Sequence, residues 1–288
     1  MAEKNLFIRT LFQCPVCAKP LFQEEKRYCC RKGHSFDIAG KGYVNLLLPS
    51  HTGAGKPGDS REMLQSRREF LNKGYYEPFS NHLNELLLSL IVKDKKIRAS
   101  ILDAGCGEGY YTWRLQNRLA AVDNFEDTIE VYGTDVSKAA INYAARRDRS
   151  IRFAVASTYH LPILDGVIDY LLCLFAPRDE EEFSRVLKPG GKLIVAAPGP
   201  RHLLNLRRVL YDNPELIGER GTVTAGFTLL AQKDISYNIH LPSGEDIINL
   251  VGMTPYIQHL TTEAIRKLRD MAELETEVEI KLLVYRKI

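Results

Sequence analysis

The stretch Asp103-Ala-Gly-Cys-Gly-Glu-Gly109 restricts the fold of this 288-residue chain more than any other feature. An apolar run at 100–104 leads into it and a helical pattern at 111–119 leads out. Glycines at such a junction let the main chain turn tightly and let a ligand lie against it, with the N–H groups of the helix start facing that ligand. Further apolar runs at 129–133, 151–155, 167–174 and 192–197 alternate with helical segments at 137–147 and 179–187. That alternation specifies a doubly wound α/β sheet, to which alternating runs at 235–241 and 278–285 add two more strands. The strand at 129–133 runs into Thr134 and Asp135, which sets a carboxylate where it can accept hydrogen bonds from ribose hydroxyls.

The chain ahead of this sheet is different in kind. Residues 11–48 are short alternating stretches broken by turns, as small hairpins around a metal would be. Cys14-Pro-Val-Cys17 and Cys30-Arg-Lys-Gly-His34 form a C-x2-C-x12-C-x3-H array, the soft donor set of a closed structural zinc site with no coordination position left for chemistry. Cys29 competes with Cys30 for the third position. Adjacent strand residues point to opposite faces, and Gly33 fits a tight knuckle closed by Cys30 and His34, so the pattern favours Cys30. Residues 49–60 read as a flexible joint. Its Gly53-Ala-Gly-Lys-Pro-Gly-Asp-Ser60 is not a P-loop, because Pro57 follows the lysine and no strand precedes it. Helical periodicity follows at 60–71 and 77–91, with Asp59 or Ser60 as N-cap and Gly74 as a stop.

Charge is distributed unevenly. Residues 1–98 hold 17 Lys/Arg against 10 Asp/Glu, a local excess of +7 in a chain whose net charge is only +3. A solvated basic face would look the same, but the asymmetry suits a polyanion such as RNA. No apolar run is long enough for a membrane span, and residues 1–10 carry Glu3 and Lys4 without an apolar signal segment behind them. A soluble, cytoplasmic protein with no membrane partner is expected, and a homodimer is compatible with these features.

The glycine loop reads D-x-G-x-G-x-G rather than the G-x-G-x-x-G of dinucleotide folds, and it resembles motif I of the class I (Rossmann-like) S-adenosylmethionine methyltransferases. The resemblance extends through Asp135 to Leu187-Lys-Pro-Gly-Gly191, the turn before the fifth strand of that fold. Together with Cys14-Pro-Val-Cys17, His34-Ser-Phe-Asp37, Gly42-Tyr-Val-Asn-Leu-Leu47, Pro57-Gly-Asp-Ser60, Asp135-Val-Ser-Lys138 and Pro198-Gly-Pro-Arg-His-Leu203, these residues resemble the RlmA family of bacterial 23S ribosomal RNA (guanine-N1)-methyltransferases over nearly the whole chain. The fold class so implied is α/β, a class I methyltransferase with an N-terminal zinc-binding module. Its segments are a zinc-binding RNA-recognition module (1–48), a flexible joint and helical lid (49–98) and the methyltransferase domain (99–288).

The resemblance implies S-adenosylmethionine and structural zinc as cofactors, with hairpin 35 of 23S rRNA as partner. The acceptor is N1 of guanine 748 or of the neighbouring guanine 745, beside the macrolide-binding exit tunnel, with an influence on sensitivity to such antibiotics. It also implies cofactor contacts at Tyr76, Gly107, Glu108 and His202, beside Asp103, Gly105 and Asp135 of the loop-and-acid pattern, and zinc on Cys14, Cys17, Cys30 and His34. Guanine N1 must lose a proton around the time of attack. Asp179, Glu180 and His160 are candidates for taking it, though the two acids suit a helix start equally well, and no base is assigned. Phe175 and Tyr159 are candidate stacking platforms, and Arg31, Lys32, Lys41, Arg67 and Arg68 are expected along the RNA path. Two rival readings are a small-molecule methyltransferase braced by zinc, which would act without RNA, and a ribosome-binding module that has lost catalysis, against which the intact Asp103 to Gly109 loop argues.

Overall fold

The computed structural model describes residues 8–51, 58, 60–122, 128–218 and 226–288. The expectations placed on Pro57, Asp59, the Gly53–Lys56 stretch and residues 1–7 lie outside the described residues. Four short strands open the chain: β1 (Ile8–Gln13), β2 (Pro20–Glu24), β3 (Arg27–Cys30) and β4 (Ser35–Asp37). They pair in sequence order as an antiparallel sheet. After β5 (Val44–Asn45) come helices α1 (Arg61–Asn72) and α2 (Glu77–Lys93). The Ser60 Oγ accepts the Met63 N–H at 3.2 Å and caps α1.

The alternating region follows as β6 (Ala99–Ala104), α3 (Tyr110–Ala120), β7 (Ile129–Asp135), α4 (Lys138–Arg147), β8 (Arg152–Val155), β9 (Ile168–Leu174), α5 (Glu180–Val186) and β10 (Leu187–Pro198). The chain ends through α6 (Leu204–Leu210), β11 (Phe227–Leu241), α7 (Gly244–Gly252), α8 (Thr262–Arg269) and β12 (Leu274–Lys287). One eight-stranded sheet runs in the order β11-β12-β10-β9-β6-β7-β8-β5. From β10 to β5 every neighbouring pair is parallel, whereas β12 runs antiparallel to both β10 and β11. β6 and β9 are buried along their whole length, which is why they read as unbroken apolar runs.

A parallel sheet needs both faces covered. One face, carrying Ile101, Tyr170 and Ile194, is packed by α2 through Phe79, Leu83, Leu87 and Ile91 together with α3, α4 and α7. The other face, carrying Leu102, Tyr132 and Leu171, is packed by α5 and by Phe12, Leu21 and Tyr28 of the small sheet. Phe12 sits edge-on between Tyr28 at 5.5 Å and Tyr132 at 5.2 Å. The Gln13 N–H donates to the Pro162 carbonyl at 2.8 Å, the Leu164 N–H to the Leu11 carbonyl at 3.0 Å, and β5 extends the large sheet beside β8. The cysteine-bearing hairpins therefore share their interior with the α/β sheet.

Candidate active site and metal centre

Strand order reverses between β6 and β9, the place where open α/β sheets bind ligands at the carboxyl ends of their strands. A cleft of about 1410 Å³ opens there. Its floor is the glycine loop, held by donation from the N–H groups of Gly105 and Cys106 to the Thr134 carbonyl at 2.8 and 2.9 Å. Gly105, Gly107 and Gly109 all have positive φ, at 80°, 57° and 81°. The space around them differs. A Cβ on Gly105 would lie 2.4 Å from the Ala176 Cβ and one on Gly109 2.7 Å from the Ala144 Cβ, whereas one on Gly107 would meet only the Arg67 Nη1 at 3.4 Å. The first and third glycines thus let the loop pack on its neighbours, and the second leaves main chain open to the cleft.

Two carboxylates bracket this loop. Asp135 accepts the Gly107 N–H at 2.9 Å on Oδ2 and the Ser137 N–H at 2.8 Å on Oδ1, which fixes the group at the end of β7 on the cleft wall. Asp103 is buried, accepts the Thr112 hydroxyl at 2.6 Å on Oδ2, and has no partner for Oδ1. Burial pushes its carboxyl up to about 7; the Thr112 bond opposes this and the Asp135 charge adds to it. An unsatisfied buried oxygen facing a cleft is a standing demand for a donor or cation. Glu108 also lines the cleft, but its Oε2 takes Arg147 at 2.5 and 2.9 Å while Oε1 is unpartnered.

Tyr76 and His202 meet although the chain separates them by 126 residues. The Tyr76 Oη lies 3.3 Å from the His202 Nε2. The Glu279 N–H donates to His202 Nδ1 at 3.2 Å, so the ring proton belongs on Nε2 and is donated to Tyr76. Burial lowers the His202 pKa to about 4, with the Arg207 charge adding to it and the Glu279 bond opposing, and the ring is neutral at pH 7. The Tyr76 hydroxyl, already accepting from His202, presents its own proton to the cleft that both residues line. Tyr76 is the N-cap of α2 and is fixed by Phe70 at 5.2 Å, so the helices 61–93 form a cleft wall.

The remaining expectations divide. Phe175 and Tyr159 line the cleft; Asp179, Glu180 and His160 are not among its lining residues. Asp179 is the N-cap of α5, accepting the Glu182 N–H at 2.9 Å, and Glu180 faces Arg178 at 3.9 Å. Arg31, Lys32 and Lys41 are exposed on and beside the small sheet. Arg67 instead lines the cleft and donates to the Met253 carbonyl, while Arg68 faces Glu108 at 3.8 Å and lies over the Tyr143 ring. Sequence reasoning missed Arg178, Tyr211, Tyr256 and His259, which also line the cleft. No periodicity or motif marks them: Arg178 lies in the loop after β9 and Tyr211 follows α6, while Tyr256 and His259 follow α7, which docks on α1.

On the small sheet, Cys14, Cys17, Cys30 and His34 place their donor atoms within 4.8 Å of one another. Cys29 turns the other way, toward Glu24 and Ser35. Gly33, at φ 87°, closes the second knuckle by donating to the Cys30 carbonyl at 2.9 Å. Zn–S bonds of about 2.3 Å and Zn–N bonds of about 2.0 Å give a tetrahedron with edges of about 3.8 Å (S···S) and about 3.5 Å (S···N). The corresponding separations are 3.7 Å for Cys17–Cys30, 3.5 Å for Cys14–His34 and 3.3 Å for Cys30–His34. The cage fits zinc, and its four protein donors complete the coordination of a Cys3His zinc ribbon.

Comparison with known proteins agrees with a zinc ribbon joined to a methyltransferase domain. The family described as "RlmA, N-terminal", a zinc ribbon, matches residues 12–53, and a methyltransferase-domain family matches 101–191. A Micromonospora griseorubida protein designated a 23S rRNA (guanine-N1)-methyltransferase is 34% identical, the match covering 94% of each chain. Bacillus subtilis YxjB, with the same designation, is 28% identical over 96% of each. The Streptomyces fradiae 23S rRNA (guanine(748)-N(1))-methyltransferase is 36% identical over 67% of this chain and 65% of its own. Among the described residues no helix is long and apolar enough to cross a membrane.

Proposed function

Because this chain belongs to the RlmA family of S-adenosylmethionine-dependent methyltransferases, we propose that it methylates N1 of a guanine in hairpin 35 of 23S rRNA. The observation that carries this reading is the Cys3His ribbon packed against the same α/β sheet that carries the cofactor cleft, with exposed Arg31, Lys32 and Lys41 as phosphate contacts. Guanine 748 is the preferred acceptor, supported by the name of the Streptomyces fradiae relative, with guanine 745 the neighbouring choice. An influence on macrolide sensitivity follows from that position in the exit tunnel. Within this reading residues 1–48 hold RNA, 49–98 cap the cleft and 99–288 carry the cofactor. A homodimer is tested by light scattering of the zinc-loaded chain.

S-adenosylmethionine, when bound, supplies a methyl group already activated as a sulfonium, so the chain's task is mainly positioning. Asp135 accepts from the ribose hydroxyls, the main chain at Gly105 and Gly107 gives the cofactor a surface to lie on, and Asp103 offers its unpartnered oxygen to cationic groups. Tyr76, oriented by neutral His202, donates its hydroxyl proton to an acceptor on the cofactor. Glu108 offers its unpartnered Oε1, because Arg147 holds its Oε2 and its backbone carbonyl. The N1 proton is assigned to no side chain, since Asp179, Glu180 and His160 do not line the cleft. A methyl on N1 blocks Watson–Crick pairing and stops reverse transcriptase. Primer extension across hairpin 35 should therefore show a stop that depends on the gene, and an identical ladder with the gene deleted would count against the reading.

A further inference from the structure

The cleft is larger than the ~300–1000 Å³ of an ordinary small-ligand pocket and has room for more than a cofactor. Its rim is aromatic. Among the described residues, three aromatic side chains stand with the exposed large apolar groups: Tyr159 (50%), Phe175 (42%) and Tyr211 (38%). All three line this cleft. Exposed aromatic faces gathered on one concavity are what a nucleobase taken out of its stack requires, since unstacking must be offset by stacking on protein.

Two of the three stand beside the glycine loop. A Cβ on Gly105 would approach the Ala176 Cβ at 2.4 Å and the Thr158 Cγ2 at 3.8 Å, so the segments carrying Phe175 and Tyr159 flank the first glycine. Phe175 has φ 56°, a left-handed backbone that a phenylalanine adopts only where its surroundings impose it. The Phe175 N–H donates to the Ala196 carbonyl at 3.2 Å, and its ring rests against Phe79 at 5.5 Å and Tyr111 at 6.4 Å. One side of the ring is thus anchored in the core while the side chain remains 42% exposed to the cleft. A core aromatic would be buried; a surface loop residue would not be held in this conformation.

We propose that Phe175 is the platform on which the turned-out target base stacks beside the methyl donor, with Tyr159, carried by the other segment beside Gly105, supplying a second aromatic surface. This rests on the nucleic-acid substrate proposed above and adds the residues that receive the base. Both side chains act by contact and neither moves a proton.

The test uses the zinc-loaded full chain and a hairpin 35 transcript. Wild type is first assayed to find the guanine it methylates, and a second transcript then carries 2-aminopurine at that position. Base stacking on an aromatic side chain is worth ~1–3 kcal/mol, so Phe175→Leu should lower kcat/KM for the transcript by about 5- to 150-fold and Tyr159→Leu by less. Phe175→Leu should bind S-adenosylmethionine in calorimetry as wild type does, which also shows that it is folded. It should alter the fluorescence change of 2-aminopurine that wild type produces on binding, and Phe175→Tyr should restore activity and bring the base back to an aromatic face. A Phe175→Leu protein with unchanged kcat/KM and an unchanged 2-aminopurine response, or one that loses cofactor affinity in proportion to activity, overturns the platform. A wild type that methylates no guanine of the transcript overturns the functional reading, and the platform falls with it.

Discussion

Changing each loop glycine to alanine separates what the glycine loop needs for folding from what it needs for its ligand. All three positions have positive φ, so each alanine carries the left-handed penalty of roughly 1–2 kcal/mol. At Gly107 nothing is added to this, because the new methyl meets only the end of the flexible Arg67 side chain at 3.4 Å. At Gly109 the methyl would lie 2.7 Å from the Ala144 Cβ and 2.9 Å from its Cα, both on α4, and overpacking of that kind costs a further ~1–3 kcal/mol. Gly109→Ala is therefore expected to lose ~2–5 kcal/mol of unfolding free energy in urea titration, and Gly107→Ala no more than ~2 kcal/mol. Cofactor affinity should show the opposite ranking per unit of stability lost. Gly107→Ala places a methyl where the cofactor must touch main chain, and its dissociation constant in calorimetry should rise about tenfold or more, equivalent to ~1.4 kcal/mol. A Gly107→Ala protein with wild-type affinity, or a Gly109→Ala protein with wild-type stability, would show that the loop has been read wrongly.

Asp135→Ala should weaken S-adenosylmethionine binding by ~1–3 kcal/mol, the worth of a hydrogen bond to a charged group; an unchanged dissociation constant would move the ribose contact elsewhere. With the Asp103 carboxyl pushed up to about 7, cofactor affinity should rise between about pH 6 and pH 8 as this group ionises, and Asp103→Asn should bind more weakly with that rise absent. His202 and Asp103 act on stability with opposite sign. The lowered His202 pKa favours the fold above the ordinary 6.5 and that contribution is lost as pH falls toward about 4, whereas the raised Asp103 pKa favours the fold at low pH and is lost as pH rises from 3.8 through about 7. His202→Gln should therefore make unfolding free energy decline more steeply with rising pH between 4.5 and 6.5 than in wild type; an identical profile would remove His202 from the buried pair. Stripping zinc with a chelator should unfold the ribbon and, through the Gln13–Pro162 and Leu11–Leu164 bonds, speed hydrogen exchange in the loop at 158–164; unaltered protection there would show that the cleft rim does not depend on the metal.

How much of this was legible in the sequence depended on how local each feature is. The zinc array was, because four ligands in two knuckles fix their own spacing, and the face argument that separated Cys30 from Cys29 describes where the side chains point. The glycine loop and Asp135 were as well, being strand ends. β11 was expected from 235 but begins at Phe227, because Thr228–Asp234 are exposed and show no alternation. The pairing of Tyr76 with His202 and the burial of Glu108 against Arg147 arise from long-range docking that no periodicity encodes. The family resemblance pointed to Tyr76, Glu108 and His202, but not to the hydrogen bonds that make His202 a neutral donor. Arg67 and Arg68 looked like surface cations because α1 reads as amphipathic on its own, and only its packing on α7 turns them toward the cleft and Glu108.

The most direct test is transfer of labelled methyl from S-adenosylmethionine to a 23S rRNA hairpin 35 transcript by the zinc-loaded protein, followed by digestion to nucleosides and mass spectrometry. The account predicts label in 1-methylguanosine, absent when the target guanine is replaced and lost with Phe175→Leu to the extent that stacking is lost. Label in a different nucleoside, or efficient transfer to a small molecule with none to RNA, would contradict it.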